Sequence, residues 1–171
     1  MLLREYLLLN LGRITPADAR AWLADMTARR RVDACRDLLC FWQPREAEGE
    51  FGPDQLAAYA VVGWGRQATV DPVAGFVSGL HEAVRRALAH YGVEAGVYAK
   101  GSGLFAGDRQ MGSVRVSVHG GVAVGLLVVE LAGLQAAVLR NAIAYHFEEQ
   151  LGYQPAATHP VAYEESMRPQ G

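Results

Sequence analysis

Residues 114–130 constrain the fold of this chain more than any other stretch. Val114-Arg115-Val116-Ser117-Val118 alternates with period two, and His119-Gly120-Gly121 supplies a hairpin turn. The chain then returns through residues 122–130, which are apolar at both parities around 126–129. A strand with no polar face belongs in the interior of a sheet, not at its rim. The rest of the chain must therefore supply more strands to flank it and helices to cover it.

Residues 5–11 read as an opening strand ending at Gly12. Thr15-Pro16-Ala17-Asp18 is a helix start: a hydroxyl N-cap, proline at the first helical position and a carboxylate in the first turn. Ala19, Trp22, Leu23 and Met26 then share one face, up to a run of three arginines, Arg29 to Arg31, that complements the helix C-terminus. Residues 37–42 form a short apolar run expected as a buried strand, 43–52 a polar loop, and 55–64 another strand. A helix runs from Pro72 to Tyr91, with Phe76, Leu80, Val84 and Leu88 on its apolar face and Gly92 closing it. Short strands are expected at 93–99 and 104–106, a helix at 134–151 stopped by Gly152, and an irregular tail from about Tyr153. These elements make one α+β domain over 1–171, a mixed sheet packed by helices.

Composition narrows the function. A net charge of −2 lacks the basic excess that phosphate binding needs, so nucleic acid is not expected as a partner. No signal peptide and no apolar run of about 18 residues stands out, so no membrane association is expected. Cys35 and Cys40 do not suggest a disulfide framework, and the expected location is cytoplasmic.

Most familiar chemistries lack their residue pattern. The five histidines are scattered with no zinc-site spacing, so neither metal nor cofactor is expected. His146 and Glu149 read as a solvated or dipole-complementing pair near a helix end, and His119 as a local turn residue. No serine sits in a nucleophile elbow. Lys100-Gly101-Ser102-Gly103 lacks the order of a phosphate loop, and a strand rather than a helix follows it. Lys100 is the only lysine in the chain.

Several collinear stretches resemble the octanoyltransferase (lipoate–protein ligase B) family. Residues 7–39 resemble its opening strand, amphipathic helix and Asp-x-Leu-Leu strand. Gly52-Pro53-Asp54-Gln55-Leu56-Ala57-Ala58-Tyr59 resembles its Gly-Pro-Gly-Gln-Leu-Val-x-Tyr segment. Ser102-Gly103-Leu104-Phe105 and the stretch from Gly107 through Gln110, Gly112 and Arg115 to Val116 resemble two of its later strands. The resemblance covers most of residues 7–131. It implies a biotinyl/lipoyl-transferase-like fold and a link to lipoate metabolism, with an octanoyl or lipoyl group, acyl carrier protein or a lipoyl domain as partner. It also implies a ligand pocket drawn from Pro53, Asp54, Gln55, Tyr59, Gly103, Leu104, Phe105, Gln110, Gly112 and Gly125, with Val116 beside Leu104 and Phe105 as a candidate tunnel lining.

The departures from the family fall on its chemistry. Its catalytic lysine aligns with Gln110, which is neutral at every pH. Its histidine and asparagine align with Val124 and Val129, and its Pro-Cys-Gly loop has no counterpart between Leu131 and Leu151. Its Arg-Gly-Gly turn is absent, and Asp54 replaces a glycine at a place of close backbone approach. The expectation is a family member without standard acyl-transfer catalysis, acting as an acyl- or partner-binding module. One alternative is an active octanoyl-acyl carrier protein:protein acyltransferase with relocated groups, Lys100 standing in for the lost amine unless it is only a solvated loop residue. The other is a purely structural or interaction protein.

Overall fold

The computed structural model describes residues 3–63, 72–97 and 102–156. Eleven elements follow in order: β1 (Arg4–Ile14), α1 (Pro16–Arg31), β2 (Leu38–Pro44), β3 (Gln55–Gly63), α2 (Pro72–Ala89), β4 (Gly96–Val97), β5 (Gly103–Ala106), β6 (Arg109–His119), β7 (Val122–Glu130), α3 (Ala136–Leu151) and β8 (Tyr153–Pro155). The strands form one eight-stranded sheet in the order β4-β5-β6-β7-β3-β2-β1-β8. β1 is parallel to β2 and to β8, and every other pairing is antiparallel. The mixed α+β sheet expected from the sequence is the observed one, and β7 lies inside it between β6 and β3.

Each face of the sheet carries its own core. Tyr6, Leu39, Phe41, Leu127 and Val129 pack under Leu80 and Leu88 of α2 and Leu139 and Phe147 of α3. On the opposite face Leu9, Leu38, Trp42, Tyr59 and Val61 pack under Ala19, Trp22 and Met26 of α1. The both-parity apolar pattern of β7 follows from this layering: Leu127 and Val129 serve the first core, Val124 and Val128 the second. α1 starts where its capping chemistry places it, with Thr15 Oγ1 accepting the Asp18 N–H at 3.1 Å. It lies over β3 and the near side of β7, leaving the β6 side of that face open.

Gly125 shows how closely the opposite face is packed. A Cβ built there would stand 2.6 Å from Leu80 Cδ1, so the absent side chain is what lets α2 seat on the sheet.

Several sequence expectations need correction. Tyr153–Pro155, expected to begin an irregular tail, is a strand pairing Arg4, Glu5 and Tyr6. Its position at the end of the sheet is where a strand tolerates proline. Of the strand expected at 93–99, Gly96–Val97 form it, residues 93–95 precede it without strand structure, and 98 and 99 lie outside the described residues. His146 is buried, not solvated, and stands edge-on to His90 with ring centroids 5.8 Å apart. The helix expected from residue 134 begins at Ala136.

A buried carboxylate ties the domain together. Asp37, just before β2, is 4% exposed. Its Oδ1 accepts from Arg30 Nε and the Gly63 N–H, each at 2.8 Å. Its Oδ2 accepts from the Tyr153 hydroxyl at 2.7 Å and pairs with Arg4 Nη2 at 2.7 Å. Partners from β1, α1, β3 and β8 satisfy the charge from all sides, as burial requires.

Candidate functional site

The uncovered part of the α1-side face is a groove. Its register follows from the β6–β7 ladder, in which Ser113 faces Val128, Arg115 faces Leu126, Ser117 faces Val124 and His119 faces Val122. Alternate residues share a face, so these pairs form a continuous row, about 20 Å from Ser113 to His119. α1 supplies the opposite wall with Arg20, Leu23, Ala24, Thr27, Ala28 and Arg31. Their spacing of three and four residues is one helical stripe.

Three hollows lie along this groove, neighbours sharing lining residues. A polar one of about 320 Å³ lies at the Ser113 end, lined by Glu50, Gln55, Gln110, Gly112, Val128 and Glu130. It meets, at Glu50, an apolar one of about 410 Å³ formed by Leu23, Phe51, Tyr59, Val124 and Leu126. That in turn continues past Val124 and Ser117 into one of about 350 Å³ ending at Arg31 and His119. Each falls in the range of small-molecule sites.

Of the expected pocket residues, Gln55, Gln110 and Gly112 come together in the polar hollow, and Tyr59 forms part of the apolar one. Gln55 also braces the turn and the neighbouring strand, since its Oε1 accepts the Gly52 N–H at 2.9 Å and its Nε2 donates to Glu130 at 2.7 Å. Gln110 is exposed, and among the described residues its amide donates only to the Gly112 carbonyl, at 3.3 Å. Gly112 sits where a Cβ would come 2.8 Å from the Val128 carbonyl oxygen. Tyr59 stacks on Trp42, and burial pushes its phenol up to about 12, so it stays protonated.

The other expected pocket residues lie elsewhere. Pro53 and Asp54 sit on the exposed turn before β3, where the Asp54 carbonyl accepts the Leu131 N–H. Gly103 makes room for the Phe105 ring, and Leu104 is fully buried in the α2-side core. Val116 borders the apolar hollow, but Leu104 and Phe105 do not line it. Gly125 belongs to the opposite face, against Leu80. Lys100 lies outside the described residues.

Neither thiol reaches the groove lining. Cys35 is buried beside the Met26 carbonyl, and burial pushes its thiol up. Cys40 is fully buried in β2 on the α1 side. Sequence reading missed Arg20, Glu50, Phe51, Arg115 and Glu130 as groove residues. The stripe of α1 side chains from Arg20 to Arg31 is the signal that would have exposed one wall.

No family model matches the chain. It is 34% identical over 70 residues to the octanoyltransferase of Neisseria meningitidis serogroup C, covering 41% of this chain and 33% of that one. It is 40% identical over 74 residues to a Pyrobaculum calidifontis protein named probable octanoyltransferase, covering 42% and 29%. The matched stretch thus spans about a third of these relatives' length. Among solved structures, a bipartite lipoate protein ligase from Thermoplasma acidophilum, described with its E2 lipoyl domain, superposes with a TM-score of 0.68 at 13% identity, over 96% of this chain and 91% of that one. Lipoate-protein ligase A bound with ATP gives 0.63 at 14%, over 98% and 93%. The chain is therefore an α+β domain of the lipoate–protein ligase fold whose sequence is related, over part of its length, to the octanoyltransferases.

Proposed function

We propose that this domain binds an octanoyl or lipoyl group, free or carried by a protein partner such as acyl carrier protein or a lipoyl domain, without the thioester chemistry of an octanoyltransferase. One observation carries the reading: the described lining around Gln110 consists of Glu50, Gln55, Gly112, Ser113, Val128 and Glu130, with no thiol, amine or imidazole. Acyl transfer through a covalent intermediate needs an activated nucleophile with a base or cation beside it. Removing groups that work as a unit leaves only binding behind. What remains is an apolar trough of a size suited to a small acyl chain. In this reading Tyr59 faces the ligand, and Gln55, Gln110 and Gly112 line the polar hollow beyond it. Pro53, Asp54, Gly103, Leu104, Phe105 and Gly125 shape the sheet around it.

The test is incubation with octanoyl-acyl carrier protein and an acceptor lipoyl domain, followed by intact-mass spectrometry, with titration of octanoate and lipoate in parallel. Saturable binding with no adduct on the chain and no acylated acceptor is the expected result. An adduct at Cys35 or Cys40, or acyl transfer abolished by Lys100→Ala, would establish catalysis instead.

A further inference from the structure

The charge along the groove is uneven. At the Gln110 end Glu50 and Glu130 line the polar hollow. In the middle, the guanidinium of Arg20 is paired with Glu48 and that of Arg115 with Glu50. At the far end Arg31 stands with Ser117, His119 and Thr27 around it. Its neighbours in the arginine run are engaged, Arg29 with Asp25 and Arg30 with Asp33 and Asp37. Arg31 has no carboxylate partner among the described residues. Arg31 is exposed, and its guanidinium lies over the β6–β7 turn, with Nε and Nη2 each 2.8 Å from where a Gly120 Cβ would stand. Gly120, at a φ of 55°, supplies both the turn and the space.

We propose that the groove selects straight-chain carboxylic acids as free acids, with the carboxylate held by Arg31 at the His119 end and the alkyl chain lying over Val124, Leu126 and Leu23 toward Tyr59. This rests on the acyl-binding reading above and fixes the ligand's head group and direction. A carboxylate at the opposite end would face Glu130, whose charge meets only the neutral Gln55 amide, beside a Glu50 already neutralised by Arg115, and a like charge at close range is unfavourable. A guanidinium without a carboxylate of its own offers paired N–H donors to an incoming one. The chain is then placed where the groove is apolar, and burial favours each methylene.

Calorimetric titration with octanoate and with octanamide separates head-group recognition from chain burial. The unsubstituted protein is expected to bind octanoate about tenfold more tightly than octanamide. Arg31→Gln is expected to erase that preference without changing octanamide binding, and Arg29→Gln, which alters the same helix end, to leave both affinities in place. If Arg31→Gln leaves octanoate binding intact, or if Arg29→Gln weakens it equally, the head-group assignment is wrong while acyl binding stands. If neither compound binds the unsubstituted protein, the acyl-binding reading itself falls, and this assignment with it.

Discussion

The Tyr153 hydroxyl donates a 2.7 Å hydrogen bond to Asp37 Oδ2, joining residues 116 positions apart. Burial, together with the adjacent carboxylate, drives the phenol's ionisation upward, so the donor proton is retained. Asp37 also holds Arg30, Arg4 and the Gly63 N–H. Asp37→Asn is therefore expected to destabilise the fold by about 3 kcal/mol, chiefly because the largely buried Arg30 loses its counter-charge, the half-exposed Arg4 adding little. Tyr153→Phe removes one bond from the same carboxylate and should cost about 1–2 kcal/mol. Urea denaturation at neutral pH measures both. An Asp37→Asn midpoint equal to that of the unsubstituted protein would show that the network contributes nothing to stability.

Gly125→Ala should be destabilising by about 1–3 kcal/mol, since the new methyl would stand 2.6 Å from Leu80 Cδ1, itself fully buried. The strain lies on the α2 side of the sheet, so ligand affinity in the α1-side groove is expected to stay unchanged. Denaturation and ligand titration on the same variant separate the two effects.

His146 should make stability depend on pH. Burial lowers its pKa from the ordinary value near 6.5, opposed by Glu149 and Glu82 and reinforced by His90 and Arg86, and its Nδ1 has no hydrogen-bond partner. The unfolded chain thus binds this proton more readily than the folded one. Stability should be level above about pH 6.5 and fall as pH drops from there toward the lowered folded value. Glu82, held near 2 by hydrogen bonds from Arg85 and Arg86, titrates far below that window. Urea midpoints at pH 7.5 and 5.5 for the unsubstituted protein and His146→Leu test this, and the variant should show the shallower slope.

Leu126→Asp places a carboxylate in the middle of the apolar hollow, at a position only partly buried. Folding should change little, while binding of octanoate or lipoate should weaken by at least about tenfold through lost apolar contact and introduced charge. Undiminished affinity in this variant would move the ligand out of the groove.

Slow thiol alkylation is expected at Cys35. Its thiol is buried and its ionisation raised chiefly by that burial, which leaves little thiolate at neutral pH. Iodoacetamide labelling followed by mass spectrometry should show rates well below those of the urea-unfolded chain.

Local chemistry made much of this architecture readable in advance. The Thr15 cap, the His119–Gly121 turn and the two-sided apolar pattern of β7 each depend on neighbours a few residues away. What escaped depends on distant partners. Tyr153–Pro155 is a strand only because Arg4–Tyr6 lies beside it. Arg30 looks like any cation at a helix end until Asp37 is placed against it. His146 reads as solvent-facing until α2 brings His90 over it. At the groove, Gln55, Tyr59, Gln110 and Gly112 were found through resemblance. The acidic wall of Glu50 and Glu130 was not, because its residues are 80 positions apart and meet only across the sheet.

The β1–β8 pairing has a consequence for synthesis. On the ribosome, residues 4–6 are made well before the strand that closes their outer side. Until then the nascent chain carries an open backbone edge next to an Asp37 that lacks one of its hydrogen-bond donors, a surface suited to chaperone capture or to pairing with another copy. Shortening the chain before Tyr153 would make that transient exposure permanent.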